Sequence, residues 1–166
     1  MFDRIDEQYL LRVLGQNQVL LFLGAGFSRD TRNQLGSQLP SGRDLSKLFW
    51  EFLGYEGEYD GTSLAEMYQA VLASGIKHKV VEEFLNSHLL CAEIPTEYDQ
   101  LVRVFWYRIY TTNVDNLVEE VYRRSGGPQL DILIYPKDDI RERDQLLDRI
   151  QLIHLKEALN FWSVAN

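Results

Sequence analysis

The sequence predicts an α/β protein: a Rossmann-like parallel sheet with flanking helices, a helical insertion after the first strand, and a sheet that is incomplete. Three observations predict it. Short β-type runs recur at Val19–Leu23, Arg108–Thr112, Asp131–Tyr135 and Ile150–Leu155. Stretches with apolar residues at helical spacing separate them, and that alternation argues for a parallel sheet. Two strand-to-helix turns, GAGFS at 24–28 and TTNVDN at 111–116, are rich in the residue types that gather where parallel strands end.

In chain order, Asp3–Leu14 reads as a helix with Ile5, Tyr9 and Val13 on one stripe, ended by Gly15. Val19–Leu23 is too short for a helix and apolar on both faces, which predicts a buried parallel strand. Gly24 and Gly26 then give a turn that can take positive φ and bring bare backbone close to a phosphate. The G-x-G-x-x-G pattern is not completed, because Arg29 stands at its last position. A tight turn without a ligand is the competing reading.

Thr31–Gly42 reads as a loop, and Ser41 with Asp44 as a capping box. Leu45, Leu48, Phe49, Phe52 and Leu53 follow at helical spacing. Leu64, Met67, Tyr68, Val71 and Leu72 mark a second helix; Val80, Val81, Phe84, Leu85, His88 and Leu89 mark a third, with His88 read as packing. A fourth is expected over Glu97–Phe105, after Pro95. This helical layer, about 43–106, is far longer than a crossover needs. Leu117, Val118, Val121 and Tyr122 form a stripe that stops at Gly126-Gly127-Pro128, and 138–149 reads as a charged surface helix.

A chain of 166 residues suits a single domain with its own core. The net charge of −8 argues against duplex DNA or an anionic membrane as the main partner. One cysteine, Cys91, excludes an intrachain disulfide and a cysteine-rich zinc site, and His78, His88 and His154 lack metal-ligand spacing. No metal is therefore expected. No apolar run approaches membrane-spanning length, and the charged N-terminus does not read as a signal peptide, so a cytoplasmic protein is the expectation.

In the second turn, helix capping by Asn113 or Asp115 is one reading. Capping is less economical for Thr111, Thr112, Asn113 and Asp115 together. GAGFS, Gly36 with LPSG at Leu39–Gly42, and TTNVD, in that order, resemble the sirtuin-type NAD-binding fold. The resemblance is greatest to the zinc-free, NAD-cleaving domains of bacterial antiphage defence proteins, and spans about 19–155. It implies that Gly24, Ala25, Gly26 and Ser28 line the dinucleotide phosphate site, with Thr112 beside them. It implies that Asn113 orients the attacking water or the ribose, and that Asp115 holds the nicotinamide amide. NAD is then the substrate, and the products are nicotinamide and ADP-ribose. Analogy also implies a homo-oligomer or a partner defence protein, as the effector of a defence system or toxin.

The family's Leu-His-Gly is replaced. The best register puts Lys156 at the histidine and Glu157 at the glycine; a shifted register makes His154 the base. His154 as an ordinary core histidine is the competing reading. Only ALNFWSVAN follows Glu157, so the sheet is expected to lack the strands that hold the adenosine half. Phe161 and Trp162 could cover an edge or meet a partner. The alternative function is a catalytically impaired module that binds NAD or ADP-ribose, or that assembles.

Overall fold

The computed structural model describes residues 6–134 and 149–155. The expected helix over 138–149, and Lys156, Glu157, Phe161 and Trp162, lie outside the described residues. The elements begin with α1 (Glu7–Gly15), β1 (Leu20–Leu23), β2 (Arg32–Asn33), α2 (Gly42–Phe52), α3 (Leu64–Ala73) and α4 (His78–Leu89). They continue with β3 (Cys91–Glu93), a 3₁₀ helix (Thr96–Arg103), β4 (Arg108–Thr111), α5 (Leu117–Ser125), β5 (Gln129–Ile134) and β6 (Arg149–His154). They fall into two compact units.

The first unit holds 6–24, 95–113, 118–134 and 149–155 of the described residues. Its core is a four-stranded parallel sheet in the order β1-β4-β6-β5. The chain is thus mixed α/β with a small, Rossmann-like sheet, as the alternation predicts. β6 lies inside the sheet, and its apolar residues Ile150, Leu152 and Ile153 are fully buried, which is why the run is apolar on both faces. β1 differs from expectation. It is an edge strand, with Leu20 and Phe22 exposed, and Phe22 stacks on Tyr110 with ring centroids 4.9 Å apart. Helix α1 starts at Asp6, whose side chain accepts the Gln8 and Tyr9 N–H groups, and none of its residues is buried. The helix expected over Glu97–Phe105 is a 3₁₀ helix that starts after Pro95 and buries Leu101.

The second unit holds 25–94 and 114–117. Here α2, α3 and α4 close around Leu45, Phe49, Met67, Val71, Val81, Leu85 and Leu89, the residues marked by helical periodicity. The predicted capping box of Ser41 and Asp44 is present, and Ser63 with Glu66 forms a second at the start of α3. Strands β2 and β3 form a short antiparallel ribbon where a loop is expected. Two- and three-residue strands carry no readable periodicity, and the Asn33 side chain anchors β2 to its loop and to the end of α4. Its Oδ1 accepts from Leu35 N and Ser37 N, and its Nδ2 donates to His88 O. His88 is a packing residue, as read: its ring lies 4.4 Å from that of Phe84.

Candidate functional site

Parallel strands bring all their carboxyl ends to one edge. In the sheet unit, Leu23, Thr111, His154 and Ile134 are register partners across β1, β4, β6 and β5. Gly24, Thr112 and Leu155 follow on that same edge. Thr112 N donates to Leu23 O, and Leu155 N donates to Thr111 O, so both turns leave the sheet pinned to their neighbours. Thr111 is buried, and its Oγ1 accepts from Asn113 N at 3.0 Å, which holds Asn113 just beyond β4.

The glycine turn does not use the left-handed backbone that the sequence allows: neither Gly24 nor Gly26 has a positive φ. Nor does packing demand glycine. A Cβ on Gly24 would meet only Thr112 Oγ1, at 3.9 Å, and one on Gly26 would meet nothing within 4 Å. Gly24, Ala25 and Gly26 are exposed. What the glycines leave is bare, reachable backbone.

The sheet unit also holds His154. Its ring is 7% exposed as a residue, and its Nε2 lies 3.1 Å from Glu119 Oε1 on the first turns of α5. Thr111 and His154, paired in register on adjacent strands, lie side by side on one face of the sheet. The carboxyl edge thus gathers a hydroxyl, an amide residue, an imidazole and a carboxylate in one unit: Thr111, Asn113, His154 and Glu119.

In the second unit, Ser28 is buried and its Oγ donates to Asp115 Oδ2 at 2.7 Å. Asp115 Oδ1 accepts from Leu117 N at 3.1 Å, so Asp115 also caps the start of α5. Asn116 Oδ1 accepts from Cys91 N. The structure therefore joins Ser28 of GAGFS to Asp115 of TTNVD, and in the other unit sets Gly24, Thr112, Asn113 and His154 along one edge. Ala25 and Gly26 belong to the unit of Ser28 and Asp115.

Sequence reasoning missed Glu119. It sits in a run, LVEEVYRRS, that reads as an ordinary charged helix; only the apolar turn-mates Val118, Val121 and Tyr122 hint that it faces inward. It also missed a recess of about 340 Å³ in the helical unit, walled by Trp50, Tyr55, Glu66 and Met67. Among the described residues no cluster of three or more His, Cys, Asp or Glu is placed to hold a metal, and no helix is long and apolar enough to cross a membrane. Neither protein-family models nor curated proteins match the chain.

Proposed function

We propose that this chain is a sirtuin-like NAD+-cleaving domain of the zinc-free kind, which hydrolyses the nicotinamide–ribose bond to release nicotinamide and ADP-ribose. The observation that carries the reading is the shared carboxyl edge, where Gly24, Thr112, Asn113 and His154 follow or end adjacent parallel strands. That is where nucleotides bind in such sheets. The exposed glycine turn supports it, since its backbone N–H groups suit a pyrophosphate. Asn113 orients the water or the ribose, Ser28 and Asp115 hold their two turns together, and Asp115 serves the nicotinamide amide.

The chemistry asks little of the protein. Nicotinamide leaves a positively charged pyridinium; the ring nitrogen takes the bonding pair and departs neutral, so no general acid is needed. A water oxygen forms the new bond to the ribose carbon and gives up one proton. Positioning and one base suffice. His154 is the base in this reading. The setting is a cytoplasmic effector of antiphage defence or a toxin, working as a homo-oligomer or with a partner protein.

A specific observation favours a second reading, a module that binds NAD or ADP-ribose without cleaving it: His154 is buried and already engaged by Glu119. One experiment separates the two. Purified protein is mixed with NAD+, nicotinamide release is followed by chromatography, and binding is followed by calorimetry. Cleavage predicts release that Asn113→Ala abolishes. Gly26→Val, placed in open space, should leave stability within about 0.5 kcal/mol while weakening both binding and release. Heat of binding without nicotinamide selects the second reading; neither binding nor release by folded protein overturns both.

A further inference from the structure

We propose that the recess walled by Trp50, Tyr55, Glu56 and Glu66 in the helical unit binds a quaternary ammonium group, carried by a free small cation or by a trimethylated lysine side chain. The inference stands apart from the NAD-cleaving reading and uses none of its residues.

The backbone sets the rings. Helix α2 ends at a left-handed Gly54, with φ +73°. Gly54 N donates to Glu51 O and Tyr55 N donates to Trp50 O, the bond pair of a Schellman turn. That turn folds Tyr55 back on Trp50, with ring centroids 4.8 Å apart and planes at 62°. An apolar contact between these two positions is a common companion of the turn. Here both partners are aromatic, so two steeply inclined rings share one wall of the recess. Tyr59 adds a third ring, edge-on to the same indole at 5.9 Å, and its hydroxyl donates to Thr62 O. Aromatic faces are negative and attract cations.

The charges match. Glu56 and Glu66 line the recess, and no lysine, arginine or histidine does. Glu66 Oε2 accepts from Ser63 N at 3.0 Å and from Ser63 Oγ at 2.6 Å, and these bonds hold its carboxyl below the ordinary range. The loop over 54–63 carries Glu56, Glu58 and Asp60 and no basic residue. Arg43 and Lys47 line the adjoining recess instead, among Asp44, Glu51 and Glu58. A quaternary ammonium has no N–H to satisfy and presents methyl groups, which suits aromatic walls beside Met67 and Ala70. A primary ammonium is strongly hydrated and gains less from such walls. The volume, about 340 Å³, lies at the small end of ligand pockets and suits a headgroup. Trp50 Nε1 is buried and meets no acceptor among the described residues, and such a group calls for an explanation beyond packing.

The test titrates tetramethylammonium chloride into the whole chain against equal sodium chloride, read by tryptophan fluorescence and calorimetry. Choline and a trimethyl-lysine peptide follow. Saturable binding in the millimolar range or tighter is expected. The uncharged isostere of choline, with tert-butyl in place of trimethylammonium, and the unmethylated peptide should bind about 10-fold or more weakly. Tyr55→Ala, at a position 48% exposed, should weaken binding by about 2- to 30-fold, and Tyr55→Phe should restore it. Glu56→Gln, outside the ring contacts, should weaken it by up to about 5-fold. Circular dichroism checks that each variant folds. A peptide that binds more tightly than choline identifies a methylated protein as the source; choline that binds as tightly as the peptide identifies a free cation. No saturable binding of any quaternary probe by folded wild type overturns the proposal. So does equal binding of the uncharged isostere, or wild-type affinity in both Tyr55→Ala and Glu56→Gln. Nicotinamide release plays no part in these readouts, so failure here leaves the NAD-cleaving reading to its own test.

Discussion

Ser28 and Asp115 are 87 residues apart in sequence, and their hydrogen bond joins the two motifs that the functional reading depends on. Its strength can be worked out. The bond is short, from a hydroxyl that is only 3% exposed to a carboxylate. Hydrogen bonds to charged groups contribute about 1.5–3 kcal/mol. Ser28→Ala should thus cost about 2 kcal/mol. Asp115→Ala loses the same bond and the Leu117 N–H cap, a further ~1 kcal/mol, giving about 3. Both residues make additional interactions, so single-variant costs alone do not isolate the pair. A double-mutant cycle does. The double variant should cost about 3 kcal/mol rather than about 5, a coupling of about 2. Urea denaturation of the four proteins, without nucleotide, measures it. Additivity within about 0.5 kcal/mol would refute the pairing as an energetic link.

Gly127→Ala should destabilise by about 1–3 kcal/mol in the same assay. Its new Cβ would stand 3.0 Å from both Tyr122 Cδ1 and Val102 Cγ1, in a place where neither neighbour is the free end of a long chain. The Asp99 carboxyl is held below its ordinary range by hydrogen bonds from Ser125 and Arg124. Its contribution to stability is present above the ordinary value of 3.8 and is lost as pH falls through the lower folded value. Asp99→Asn should therefore lower the melting temperature at neutral pH and narrow the gap to wild type in the acid; an unchanged gap at all pH values contradicts the assignment.

How much of this was legible follows from the range of the interactions involved. The helices α2, α3 and α4 were readable because each buries one stripe, and Leu45, Phe49, Met67, Val71, Val81, Leu85 and Leu89 announce that stripe locally. The strands β1, β4, β5 and β6 were readable as short β-type runs, but their order was not. That β1 stands at an edge with Phe22 exposed follows from its pairing with β4 on one side only among the described residues, and no local pattern records it. The β2–β3 ribbon escaped for the same reason. Its side-chain anchor is a single amide, Asn33, reaching the far end of α4.

The site shows the same division. Residue types at loop tips named Gly24, Gly26, Asn113 and Asp115, because turns and caps are local chemistry. The side chains that meet Ser28 and His154 are remote in sequence: Asp115 for the first and Glu119 for the second. For His154 the consequence is sharp. Strand alternation puts its side chain on the face shared with Thr111, and β6 ends there, so the ring sits at the last position where the sheet still holds it rigidly. The carboxylate that meets the ring comes from α5, 35 residues earlier in the chain.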